Sequence, residues 1–328
     1  MRKKLFLFTV CFSLVFSLSA QEGKTAFDYL LLPVSSRSAA LGGANISIIE
    51  TDASLVFNNP ALLGSEMDLN LVASGLSYLA DIKMGSVIFT KALGERSAWG
   101  IGVNYADYGK MTETSVDNVI LGDLNATDIC GNLFFSRDLT DRWRGGITAK
   151  FIYSNYYHNT AMGIGVDLGL SYYDPDKEFS IGLTGKNMGR QITAYEDELA
   201  VLPWDIQLGF SKKLDHAPIR FSVTGVYLKQ WQFDNYFKKK DSFFKTLGKH
   251  LIIGIDVIPS DNLWIGIGYN IKRGMDMHIQ DGNKFAGFSI GAGLKVKTFA
   301  IGCSFGKYHP SATSLLLNIS TSFGENKL

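Results

Sequence analysis

The side chains able to do chemistry are scattered along the sequence. His158, His216, His250, His278 and His309 fall in loops and turns rather than in one cluster. His309 and Ser311 stand two residues apart, and a strand would place both on one face. Pro310 between them weakens a strand, and no carboxylate is tied to the pair, so catalysis is not expected. Cys130 and Cys303 are far apart in strand-like runs. They lack the close spacing of a zinc site and cannot staple so long a chain. No metal and no cofactor is called for.

The most distinctive polar feature is the stretch Lys229–His250. It carries Lys229, Lys238, Lys239, Lys240, Lys245 and Lys249 with interleaved Trp231, Phe233, Tyr236, Phe237, Phe243 and Phe244. Phe233, Phe237, Phe244 and Leu247 approximate a helical repeat, which predicts a short amphipathic helix. Two roles fit: a solvated loop brushing a phosphate-bearing surface, or a protein-docking surface centred on Trp231, Phe233 and Phe237 with Lys238, Lys239 and Lys240. Aromatic residues are enriched in interfaces, and lysines steer acidic partners.

What must position these residues is a long series of strands. "WGIGVNY" sets Trp99, Ile101, Val103 and Tyr105 against Gly100, Gly102 and Asn104, and "MGIGVDLGLSY" repeats the pattern from Met162. Such period-two alternation is the strand signature. It predicts fourteen strands near 68–79, 83–92, 97–108, 123–139, 143–155, 161–173, 178–187, 204–213, 218–229, 250–258, 262–271, 284–295, 297–306 and 311–323. Their length suits the ~9–11 tilted residues that cross a bilayer.

The connections alternate too. After even strands come short polar turns such as "LGERS", "LTDR" and "DPDK". After odd strands come mostly long segments such as "GKMTETSVDNVILGDLN" and "NMGRQITAYEDELAVLP". Short turns at one end and long loops at the other characterise outer-membrane barrels. The polar face is rich in Gly, Ser and Asn with scattered Lys150, Asp167, Asp205 and Asp256, unlike the lysine- and glutamate-rich face of a soluble sheet. Tyrosines near strand ends, among them Tyr78, Tyr105, Tyr108 and Tyr153, suit interfacial girdles. The expectation is an all-β, 14-stranded antiparallel transmembrane β-barrel over 67–323.

The termini complete the division. Residues 1–20 have a basic start, an apolar run and small residues before Gln21, the pattern of a secretory signal peptide. Removing it takes Arg2, Lys3 and Lys4 and moves the formal net charge from +1 to −2, which gives no reason to expect a nucleic-acid partner. Residues 324–328 are expected as a periplasmic tail after Phe323. Residues 21–66 precede the first strand and need somewhere to bury Phe27, Leu30, Ile46, Ile48 and Phe57. They are expected to form an N-terminal hatch inside the barrel. Inner-face glycines then have two readings: a gap beside the hatch, or close approach of the hatch backbone.

The segment "SRSAALGGANISIIETDASLVFNNPALL" resembles the N-terminal signature of FadL-like barrels, with Gly42, Gly43, Asp52, Asn59, Pro60 and Ala61 at the matching positions. With "FDYLLLPVSSRSAALGGANIS" and the closing "YHPSATSLLLNISTSF", the chain looks most like the PorQ/PorV group of the Bacteroidetes type IX secretion machinery. The resemblance implies a structural role for the six residues. It also implies an outer-membrane anchor in a surface attachment complex, with lipopolysaccharide, a PorZ-like surface protein and other complex components as partners. A FadL-like transporter of hydrophobic small molecules is the alternative.

Overall fold

The computed structural model describes residues 25–115, 117, 120–157, 159–195, 198–231, 233, 242–277, 285–309 and 312–323. The expected signal peptide (1–20), the expected tail (324–328), Phe237, Lys238, Lys239 and Lys240 lie outside them. The strands are β1 Asn70–Ser77, β2 Lys83–Ala92, β3 Ser97–Thr114, β4 Ile120–Asp138, β5 Trp143–Tyr156, β6 Asn159–Asp174, β7 Phe179–Thr193, β8 Asp205–Lys213, β9 Ile219–Gly225, β10 Leu251–Ser260, β11 Leu263–Asn270, β12 Phe288–Val296, β13 Phe299–His309 and β14 Ala312–Ser322. Each pairs antiparallel with its chain neighbour, and β1 pairs with β14, closing the barrel.

The two faces are inverted relative to a soluble protein. Along β3 the large apolar residues are the exposed ones, Ile101 at 47%, Val103 at 45% and Tyr105 at 41%, while Ala98, Asn104 and Ala106 are buried. Leu133, Phe151, Ile164 and Ile267 continue the outward apolar surface on other strands. Serine, threonine and asparagine line the inside, which lets a second layer of backbone pack there.

That layer is the N-terminal segment. It consists of the short helix α1 (Ser36–Ala40) and 3₁₀ turns at Asp28–Leu31, Ala53–Phe57, Pro60–Leu62 and Ser65–Met67. Its hydrogen bonds reach strands on every side of the barrel. Ser36 N donates to Asn318 on β14, and Ala40 O accepts from Ser289 on β12. Ser47 O accepts from Ser180 on β7, Leu63 O from Ser136 on β4 and Met67 O from Thr90 on β2. The segment is thus bonded to residues of β2, β4, β7, β12 and β14.

Three local expectations are corrected. The stretch 109–125 is not a long loop, because β3 and β4 continue as a paired hairpin through Lys110↔Asn125 to Thr114↔Ile120. Strand 9 stops at Gly225, since its ladder with β8 ends at Leu208↔Gly225 and, after the in-register bond from Val226 N to His250 O, His250 N bonds back to Leu247 O. Of the girdle tyrosines, Tyr105 and Tyr153 face outward. Tyr108 points inward to bond Asp128, and Tyr78 packs on Tyr308 against the inner core.

Candidate functional site

Steric fit between segment and wall comes first. Gly42 and Gly43 adopt φ of +104° and +105°, a conformation glycine takes at no steric penalty. This turn presses the backbone at Leu41–Gly42 directly on Gly268 of β11. Opposite, the backbone of Pro60 and Ala61 lies on Gly146 of β5, and the Ile46 carbonyl lies on Gly182 of β7. Close backbone approach is therefore the role these inner-face glycines have.

Polar caps then hold the turns. The Asp52 carboxylate accepts from Ser54 N at 2.9 Å and opens the Ala53–Phe57 turn. Asn59 accepts from Ala61 N at 3.0 Å and donates to Ile46 O at 3.0 Å, joining two parts of the segment. Pro60 stands at the start of the next turn, where its missing N–H is harmless. All six motif residues thus lie in the N-terminal segment, with Gly42, Gly43, Asn59, Pro60 and Ala61 at or beside its contacts with the wall.

A buried ionic cluster adds a second fastening that sequence reasoning missed. Arg37 of the segment pairs with Asp256 of β10 at 2.8 Å and with Glu50 at 3.3 Å. Arg220 of β9 meets the same Asp256 at 2.6 Å and the same Glu50 at 2.8 Å. Two guanidiniums and two carboxylates alternate around the cluster, one of each from the segment and one of each from the wall. Nearer the short turns, Arg144 of β5 joins Glu66 of the segment at 2.9 Å and Asp138 at 2.6 Å. Asp256 had been legible only as one inner-face charge, while Arg37 and Arg220 carried no local signal.

The barrel wall itself departs from regularity at β7. Lys186 and Asn187 stand opposite the single residue Asp167, a bulge in the β6–β7 register. Asn187 has φ of +54°. Its N–H donates to Asp167 at 2.6 Å, its side chain accepts from Lys150 at 2.6 Å, and its amide donates to Pro203 O at 3.3 Å. Beyond Lys186↔Asp205, β7 has no β8 partner. Its outer half instead bridges Arg190 to Val201, and Val201 bridges onward to Thr25 of the segment. A cavity of about 60 Å³ sits here, lined by Lys186, Asp205, Tyr227, Asn270 and Arg273. Another of about 290 Å³, lined by Glu50, Asp52, Glu66 and Asp68, sits at the short-turn end.

At the long-loop rim, helix α2 (Phe243–Lys249) and helix α3 (Ile271–Asp276) form a pair. Trp231 is 47% exposed and stacks on His250 with ring centroids 5.3 Å apart. Phe233 is half-buried between His250 and Tyr227. The helix of this region holds Phe244 and Leu247 but not Phe233, because 233 precedes its first turn. Cys130 and Cys303 are free thiols. Among the described residues no His, Cys, Asp and Glu side chains converge as a metal would require.

Asp276 ties the two rim helices together. Burial raises its carboxyl pKa, but hydrogen bonds and charge from Lys272 at 2.7 Å and Lys249 at 3.1 Å overcome this, and the net shift is downward. A depressed folded pKa gives stability that is present above the ordinary value of 3.8 and lost as pH falls through the folded value. Protection of the α2 amides should therefore hold from neutral pH down to about the ordinary value, fall as pH drops from there through the folded value, and be gone below it. Loss of protection beginning well above the ordinary value would mean that another group holds the helices.

No family model and no curated protein matches the chain. Solved structures do. One crystal structure of the toluene transporter TodX of Pseudomonas putida aligns over 90% of this chain and 98% of its own, at 12% identity and a TM-score of 0.55. A second TodX structure gives 90%, 100%, 13% and 0.58. A FadL homologue of Pseudomonas aeruginosa gives 89%, 99%, 10% and 0.54. The chain has a FadL-like barrel fold. At such identity the likeness establishes architecture, and it extends over nearly the whole length of each partner.

Proposed function

We propose that the chain is an outer-membrane barrel that passes small hydrophobic molecules through its wall. The observation that carries this reading is the break at β7, where strand pairing with β8 ends and an in-folded segment takes its place. Straight passage is opposed by the filled bore, so an apolar solute has reason to leave sideways into lipid. The outward apolar face supplies that lipid contact, since a spanning barrel needs one. Similarity to barrels described as a toluene transporter and a FadL homologue supports the same reading.

The test is a staple across the break. Arg190 and Val201 are bridge partners flanked by the bonds Gln191 N to Ala200 O and Leu202 N to Gly189 O. Such a non-hydrogen-bonded pair has Cα atoms about 4.5 Å apart, within disulfide range. Proteoliposomes holding the Arg190→Cys, Val201→Cys variant should take up labelled toluene faster than empty vesicles when reduced, and at the empty-vesicle rate when oxidised. Equal uptake in both states would remove the break from the path. No uptake above empty vesicles even by the unmodified chain would end the transport reading.

A second reading is a docking anchor of the type IX secretion attachment complex, with lipopolysaccharide and a PorZ-like protein as partners. Its support is the resemblance of the 27–63 motifs and the firmly fastened segment, which suits a scaffold as well as a channel. The Trp231 rim and Lys238, Lys239 and Lys240 are its proposed contacts. Co-purification from outer membranes with and without Trp231→Ser tests it, and unchanged recovery of companions would set that rim aside.

A further inference from the structure

The wall is low where α2 sits. β9 has seven residues, which rise about 23 Å at ~3.3 Å each and roughly 16 Å along the barrel axis at a tilt of ~45°. The apolar band of an outer-membrane barrel is about 25 Å tall. Above β9 the ladder with β10 runs on by the single in-register bond Val226 N to His250 O, and on the β8 side only Leu228 N to Ile206 O remains. Strand backbone left unpaired against hydrocarbon is strongly unfavourable, whereas a helix satisfies its own backbone.

Exposed apolar side chains also stand above this notch, interrupted on the β9 side by Gly225 and by the exposed Lys229 and Gln230. On β10, Ile253 faces out at 41%, and Leu247 of α2 lies four residues before Leu251, which heads the same row. On β9, Phe221 and Val223 lead up to Leu228 and Trp231, and Trp231 packs on Phe243 at 5.4 Å. Phe243 is 61% and Phe244 81% exposed, while Thr246, Lys249 and His250 face inward and are buried. Thr246 and Lys249 of α2 are thus committed to the protein, Lys245 stays exposed at the edge of the helix, where its stem can reach outward to the headgroups, and the aromatic side extends a surface already suited to acyl chains.

We propose that α2 lies in the outer margin of the hydrocarbon layer, its Phe243, Phe244 and Leu247 face against lipid acyl chains, and completes the wall above β9. This rests on the outer-membrane reading. The test uses a Cys130→Ala, Cys303→Ala background with single nitroxide labels at Phe243→Cys, Phe244→Cys or, as a wall control, Ile267→Cys. The full mature chain is reconstituted in phosphatidylcholine vesicles, and relaxation by oxygen is compared with relaxation by a water-soluble nickel chelate. The expected result is loss of nickel relaxation at 243 and 244 to the level seen at 267, with oxygen relaxation retained. Nickel access at 243 and 244 with 267 shielded would overturn the proposal, leave the membrane reading intact, and give this face to water or a protein partner. Nickel access at all three sites would overturn both.

Discussion

Asp256→Ala is expected to lower stability by about 3–5 kcal/mol, the usual consequence of removing one partner from a buried ion pair. Asp256 is fully buried and receives both Arg37 and Arg220. Without it, Glu50 alone must balance two guanidiniums, one from the N-terminal segment and one from the wall. The measurement is the temperature at which the folded, fast-migrating form is lost on gels run after graded heating. The cause is separable from lost packing, because replacing the whole cluster by apolar residues of similar volume is often neutral. Arg37→Met, Glu50→Leu, Arg220→Met, Asp256→Leu should therefore recover most of the loss. An Asp256→Ala protein as heat-resistant as the parent would mean that the cluster does not fasten the segment.

That cluster also marks where sequence reading stops. The strands were legible because alternation is a local property: 83–92 and 97–108 can be read from their own residues, and the structure has Lys83–Ala92 and a strand beginning at Ser97. The inversion of the faces was legible from what fills the polar positions, since serine, asparagine and glycine can line a packed bore. The pairing of Arg37 with Asp256 was not, because it joins residues more than two hundred positions apart and depends on the seating of an irregular segment. The β3–β4 extension was missed for a different reason. Its upper part, Lys110–Thr114 against Ile120–Asn125, alternates weakly and reads as a polar loop, yet hydrogen-bonded pairing carries the hairpin onward. The bulge at Asn187 was likewise hidden. Glycines at 185 and 189 are consistent with it, but the positive φ of Asn187 is held by Asp167, Lys150 and Pro203 from elsewhere in the fold.

The glycines give the other large effect, because chemically identical substitutions should part sharply by position. A Cβ at Gly268 would meet the backbone of Leu41 and Gly42, one at Gly146 the backbone of Pro60 and Ala61, and one at Gly182 the carbonyl of Ile46. Backbone cannot swing aside as a side-chain tip can, so the N-terminal segment must shift or the wall must bow. Overpacking of this kind costs about 1–3 kcal/mol. Gly75, by contrast, would meet nothing within 4 Å, and Gly75→Ala should leave stability nearly unchanged. Combining Gly268→Ala with Gly146→Ala strains the segment from two distant walls at once; costs that add would mean that Leu41–Gly42 and Pro60–Ala61 yield independently, and a smaller sum that one shift of the segment relieves both. A displaced segment opens the bore, so this double variant should show frequent conducting openings in planar bilayers where the parent and Gly75→Ala stay closed. If the double variant is as stable and as silent as Gly75→Ala, the segment does not press on these walls. If it is destabilised yet silent, the segment yields within the bore without leaving it. Deleting Phe27–Leu63 then decides whether this segment is what closes the pore: a refolded deletion barrel that still fails to conduct would assign the closure to the loops.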